Sequence, residues 1–276
     1  MIIGENTVLD VKINDVAFDA AYLGSDLLFT KEVSKTAQSQ ETTLSLDGNV
    51  QGHEIAGDTV WATDSGKLYK IDRSDWSVVE SETIANLTPG FSPTSLGDVT
   101  FYEDSLYIAC GNYSLGGGAF VIKANPTTLA YEDHFDLSED CEMGLNMVVR
   151  KGDYWYVGET ALGDTNARPA IRVFNNEWSF VKNAWVSTSA TTGENRVDFQ
   201  GGAFVGEVLV AGNHIGSISI FRLDTDQTLI RQSDIELTDV SDTQGVSSEQ
   251  NTVFVSHRDS GSKLENVVLL VYPISY

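Results

Sequence analysis

From Asn49 onward the chain repeats one pattern of apolar and polar positions. The first copy, NVQGHEIAGDTVWATDSGKLYKID (Asn49 to Asp72), holds three short apolar runs parted by Gly-Asp and Asp-Ser-Gly. Short apolar runs bounded by turn residues predict strands rather than helices. The second run returns as Val60-Trp61-Ala62, Leu106-Tyr107-Ile108, Trp155-Tyr156-Val157, Val208-Leu209-Val210 and Val253-Phe254-Val255, at intervals of roughly 45 to 53 residues. A Gly lies upstream each time, at Gly52, Gly97, Gly144, Gly201 and Gly245, and Gln precedes it in three copies. A third strand follows in every copy: 68–72, 119–125, 170–175, 217–224 and 267–272. A fourth follows in the first four: 76–84, 129–137, 178–186 and 228–237. Asp or Asn between the third and fourth strands is turn chemistry.

Four strands every roughly 45 residues is the blade period of a β-propeller. Five copies predict an all-β, five-bladed propeller. The last copy lacks its fourth strand, because the chain stops at Tyr276. The segment Glu41 to Asp47 precedes Gln51-Gly52 as Asp234 to Thr238 precedes Gln244-Gly245. So Thr42 to Asp47 is expected beside Val267 to Tyr272, closing the ring from both ends. Closure leaves no open seam at which the ring could splay. The expected domains are residues 1–35, a small β-module, and residues 36–276, the propeller. The polar stretch KEVSKTAQSQ (31–40) reads as a linker.

Charge narrows the partners. Forty acidic and 17 basic residues give a net charge of −23, which argues against direct nucleic-acid binding, since a phosphate backbone needs a basic face. No run approaches the roughly 20 apolar residues of a membrane span, so no membrane insertion is expected. The N-terminus MIIGENTVLD lacks a basic n-region and does not read as a signal peptide. Cys110 and Cys141 read as buried free thiols.

Residues 1–35 stand outside the repeat. Val8 to Ile13 alternates as a strand, Asn14-Asp15 turns, and Val16 to Leu23 and Asp26 to Thr30 follow as further short strands. Such a meander is too small for its own core. The segment Ala21-Tyr22-Leu23-Gly24-Ser25 with Leu27-Leu28-Phe29, entered through Val11-Lys12-Ile13-Asn14-Asp15-Val16, resembles a small β-module of tailed-bacteriophage virion proteins. The resemblance implies attachment to capsid or tail through residues 1–35, a location in the virion, and a propeller projecting outward. It carries no catalytic residue over.

In a propeller the loops after the second and fourth strands share one face. The longest after second strands are Cys110 to Gly118, Glu159 to Pro169 and His257 to Asn266. Long loops on a rigid scaffold are where binding usually sits. The candidate ligand-binding residues are therefore Tyr113, Asp164, Asn166, Arg168, His257, Arg258 and Asp259.

Other chemistry has little support. The run Gly116-Gly117-Gly118 is followed by a strand and no Lys-Ser/Thr, so it is not a phosphate loop. The four His lie in different blades without zinc spacing. Asp47, Asp64, Glu142, Glu159, Asp198, Asp242 and Asp259 lie near the long-loop face, yet no calcium motif joins them. No metal or cofactor is expected. With no Gly-x-Ser-x-Gly elbow and few long insertions, no catalytic residue is assigned. Trp61 and Trp155 read as inter-blade core, Trp76 and Trp178 as structural, and Trp185 as the one candidate sugar platform.

The function expected is a non-enzymatic virion protein (decoration, fibre or tail tip) contacting host-surface glycan or protein. The alternatives are a cytoplasmic propeller serving as a protein-interaction scaffold and a glycan-active propeller hydrolase.

Overall fold

The computed structural model describes residues 11–13, 16–18, 34–112, 116–160, 168–187, 199–213, 216–237, 240, 242–249, 252–258 and 262–270. Two short strands, β1 (Val11–Ile13) and β2 (Val16–Phe18), pair as an antiparallel hairpin, with Ile13 opposite Val16. Then come β3 (Ser34–Thr43) and the first blade, β4 (Val50–Ala56), β5 (Thr59–Asp64), β6 (Lys67–Asp72) and β7 (Val78–Thr83). A one-turn helix, α1 (Ile84–Leu87), leads to the second blade: β8 (Ser95–Tyr102), β9 (Ser105–Gly111), β10 (Ala119–Ala124) and β11 (Tyr131–Asp136). The third is β12 (Leu145–Lys151), β13 (Tyr154–Glu159), β14 (Ala170–Phe174) and β15 (Phe180–Val186). The fourth is β16 (Phe199–Val205), β17 (Val208–Asn213), β18 (Ser217–Leu223) and β19 (Leu229–Glu236). The fifth is β20 (Thr243–Glu249), β21 (Thr252–His257) and β22 (Lys263–Leu270), completed by β3.

The five four-stranded antiparallel sheets form a five-bladed propeller. The inner strands touch in a closed circle, β4–β8–β12–β16–β20 and back to β4. Each pair of neighbouring blades encloses its own apolar cluster. Trp61 and Leu106 lie in the first seam, Val121 and Trp155 in the second, and Tyr156 and Phe221 in the third. The fourth holds Ile220 and Val253, and the fifth Phe254 and Ile71. A large side chain buried there contributes about 1.5–3 kcal/mol. Cys110 and Cys141 are buried free thiols in two of these seams.

Closure from both termini is present, but the closing strand lies earlier than Thr42 to Asp47. It is β3, with Thr43 opposite Lys263 and Ser34 opposite Leu270. The stretch expected to be a linker therefore forms most of this strand. An outermost strand packs on few neighbours, so SKTAQSQETT needs no apolar alternation, and hydrophobic patterning could not find it. The apolar signal downstream belongs to the crossing into the first blade: Leu44 is buried in the fifth seam and donates its N–H to Ser262 O at 2.8 Å. Likewise Lys263 to Asn266, expected in the last long loop, belong to β22.

The recurrent Gly marks a backbone crossing. A Cβ on Gly52 would fall 2.3 Å from Asp98 Cα, and one on Gly245 would fall 2.6 Å from Gly52 Cα. Each inner strand also carries a register shift there, such as those between Val50 and Gly52 and between Phe199 and Gly201. The bulges bend five strands around a narrow axis. Turns between third and fourth strands also repeat. The side chains of Asp72, Asn125, Asn175 and Asp224 accept amides from Ser74, Thr127, Glu177 and Asp226. Near the end of each turn sits a residue at positive φ: Trp76, Leu129, Trp178 and Gln227. Trp185, expected near the rim, is half-buried, with its ring packed edge-on to Phe199 and Phe221 in the third seam, at 5.6 and 5.5 Å.

Candidate functional site

The antiparallel blades put the turns between first and second strands, and between third and fourth, on one face. The remaining loops lie on the other. Of the residues expected on that long-loop face, Tyr113, Asp164, Asn166 and Asp259 lie outside the described residues. Arg168 is exposed. Arg258 is half-buried and donates through Nε to Asp242 Oδ2 at 2.7 Å. His257 is buried, 2% exposed, at the end of β21 opposite Thr243.

The place of His257 is a repeat position. Its counterparts, each opposite the first residues of an inner strand, are Asp64, Gly111, Glu159 and Asn213. Polar side chains there clasp the loops of the fold. Asp64 accepts the N–H groups of Gly48 at 2.9 Å and of Gly66 and Lys67 at 2.7 Å each, and the hydroxyl of Tyr69 at 2.6 Å. Glu159 accepts Glu142 N–H at 2.6 Å and pairs with Arg172 Nη2 at 3.2 Å. Burial raises the Glu159 carboxyl, and Arg172 opposes that rise. Asn213 donates through Nδ2 to Ser217 Oγ at 2.8 Å. Among the described residues no three His, Cys, Asp or Glu side chains are grouped as a metal would require.

The short-turn face holds a basin of about 490 Å³ on the axis. All five blades contribute: Glu54 from the first, Phe101 from the second, Arg150 and Lys151 from the third, Phe204 from the fourth and Ser248 from the fifth. Below it lies the Asp98 carboxyl, fully buried, with Oδ2 accepting the N–H of Gly202, a lining residue, at 2.9 Å. Burial pushes the Glu54 carboxyl up to about 8, with the charge of Glu249 adding to the shift. Burial also holds Asp98 well above the carboxylate range, and the nearby charge of Glu54 adds to it. Both carboxyls lack the compensating base that would keep a buried acid ionised.

Beside the basin, sharing Tyr102 and Arg150 with it, lies a cleft of about 300 Å³. Its wall is a run of stacked rings: Phe135 on Trp178 at 4.6 Å, Trp178 on Trp155 at 4.8 Å, and Trp155 by Tyr107 at 4.4 Å. The Arg150 guanidinium lies over Tyr102 at 4.6 Å and Trp155 at 4.9 Å, and donates to Asn176 Oδ1. Trp155 is core as expected; Trp178 is repeat-born and also walls this cleft.

Sequence reasoning missed Glu54 and Asp98. The signal available was each residue's place in the repeat. Counting back from the turn, Glu54 matches Thr100, Val149, Ala203 and Ser247, while Asp98 matches Gly52, Gly201 and Gly245. A charge at an otherwise apolar or small inner-strand position is the anomaly.

His53 is structural. Its ring bridges Ser256 Oγ at 3.1 Å and Ser247 Oγ at 2.9 Å across the seam of the first and fifth blades. Burial lowers it to about 3.

No family model matches the chain, and no curated protein does. Solved structures similar to it include the WD40 repeats of RRP9, at 9% identity over 80% of each chain with a TM-score of 0.49. U3-55K is similar at 9% identity over 80% of each chain, TM-score 0.48. The computationally designed Ika4 protein is similar at 8% identity over 66% of this chain and 96% of its own, TM-score 0.40. Likeness of this depth says nothing of ligands or partners.

Proposed function

We propose that this protein is a non-catalytic interaction scaffold, a rigid propeller that binds a partner at the axial basin of its short-turn face. The supporting observation is that basin, to which every blade contributes and which holds a carboxyl without a base. A concave, mixed apolar and polar site on a rigid body is the ordinary form of a binding site. The seams and the two-ended closure keep it preorganised, which limits the ordering cost of binding. Placement in a virion, and with it attachment through residues 1–35 to virion proteins and contact with a host glycan or protein, rests on the N-terminal resemblance alone. The long-loop residues Arg168 and Arg258 form a second candidate surface.

The test is quantitative co-purification from cells of the source organism, comparing wild type with a folded Ser248→Trp variant that fills the basin. Arg168→Glu serves as the control on the opposite face. The expected outcome is a partner lost with Ser248→Trp and retained with Arg168→Glu. Retention of every partner by Ser248→Trp overturns the proposal.

A further inference from the structure

The acidic and basic side chains lining the basin are Glu54, Arg150 and Lys151. Burial keeps Glu54 protonated below about 8, so at neutral pH the lining carries positive charge alone. Glu207 and Glu249, near it, are each paired with a base, Lys151 at 2.8 Å and Arg73 at 2.9 Å. Lys151 leans toward the fourth blade, with Nζ 6.0 Å from the Phe204 ring centre and donating to Gly206 O at 2.7 Å. An ammonium has three N–H groups, so a third is left for a ligand. Arg150 leans toward the second blade, its guanidinium over Tyr102 at 4.6 Å and Trp155 at 4.9 Å, and donates through Nη2 to Asn176. None of the ion pairs among the described residues includes it. Its Nε and Nη1 are buried without a hydrogen-bond partner. In a chain with 40 acidic residues against 17 basic ones, a half-buried cation without a counter-charge beside a cavity is the anomaly. Such a group costs free energy that an anion alongside would partly recover.

We infer that the basin receives an aspartate or glutamate side chain presented by a peptide segment of a protein partner, its carboxylate drawn to the third-blade wall that carries Arg150 and Lys151. The inference rests on the basin being the partner site. A carboxylate suits this wall better than a phosphate: one of the two cations is already paired with Glu207, so the lining balances about one negative charge. A cavity of about 490 Å³ also leaves space for neighbouring residues of the segment, against Phe101, Val149 and Phe204. The net charge of −23 opposes an acidic partner at long range. Exposed charges beyond about 8 Å are screened at physiological salt, however, so the charges of the lining decide the contact.

The full chain, isotopically labelled, is titrated at pH 7 with capped Gly-Gly-X-Gly-Gly peptides in which X is glutamate, glutamine, phosphoserine or arginine. The backbone amide signals of Gly152, Gly202 and Ser248 are followed. The glutamate peptide is expected to saturate with Kd on the order of 1 mM, roughly tenfold tighter than glutamine, its neutral isostere. Arg150→Met and Lys151→Met should each lose most of that advantage, and Lys151→Met carries the test even where Arg150→Met does not fold. At pH 9 wild-type binding should weaken, because Glu54, beside Asp98 and Glu249, has ionised; Glu54→Gln should remove that weakening. Equal binding of glutamine or arginine overturns the anion inference and leaves the basin as a binding site. Phosphoserine binding tighter than glutamate overturns the choice of carboxylate. Absence of any saturable shift, with Ser248→Trp still losing its partner in cells, also overturns the inference while the scaffold reading stands.

Discussion

Asp64 and Glu159, at the long-loop end of the axis, are ringed by amide donors and, for Glu159, by Arg172. Glu54, toward the short-turn end, lines a basin, and the fully buried Asp98 lies close enough for the two carboxyls to raise each other's proton affinity. The same residue chemistry thus serves the fold at one end of the channel and is left uncommitted at the other. Long loops drew attention to the first face, but a long loop needs internal donors and acceptors to hold it. Polar residues there are consumed by that demand. The short-turn face has tight turns that satisfy themselves through Asx side chains, so an acidic side chain beside the channel is left without a base.

The contrast can be broken at four places. The largest effect is expected at the neck between the faces. Gly52→Val sets a side chain against the Asp98 backbone and should destabilise by about 4 kcal/mol or more, read as a lowered urea midpoint or as insoluble protein. A variant as stable as wild type would mean that the inner strands are not packed backbone to backbone. Next is Glu159→Ala, which strands Arg172 and the amide of Glu142 and should cost about 3 kcal/mol in the same measurement. A neutral result would remove the structural role given to that face.

The third effect has the opposite sign. Between pH 4.5 and about 8 the unfolded chain has released the Glu54 proton while the folded chain keeps it. Stability therefore falls as pH rises through that window, by at most about 1.4 kcal/mol per unit. Glu54→Gln should flatten this slope and be the more stable protein at pH 8, as urea melts at several pH values would show. An unchanged slope would mean that Glu54 is as well solvated as a surface acid. His53 works the other way. Its lowered value means stability falls as pH drops from 6.5 toward 3, since only the unfolded chain takes up the proton there. The smallest effect is expected at Arg168→Ala, exposed on the long-loop face, with a change within about 0.5 kcal/mol.

Much of the fold was legible because propeller strands pack the same way five times. The middle residues Trp61, Tyr107, Tyr156 and Phe254 repeat since each meets the following blade through an equivalent position, and in the fourth blade that position is Val210, one residue beyond the Leu209 that counting along the sequence picks out. The closing strand was legible in kind and misplaced in register, because β3 is polar and Leu44 and Leu46 beyond it carry the apolar signal. Trp185 looked like a rim residue by counting and is a seam residue by packing. His257 looked like a loop histidine and occupies a buried repeat position.

Periodicity along the chain by itself determined five sheets of four strands and a ring shared by both termini, because local turn chemistry and apolar spacing act over a few residues. Only the tertiary structure decided which end of the channel holds carboxyls without a base. That depends on what lies across the axis: Gly52 leaves the space beside Asp98, Gly202 holds one of its oxygens, and no base reaches Glu54 among the described residues. These neighbours come from blades far apart in sequence, and it is their distances, not their order, that set the cost of a buried carboxyl.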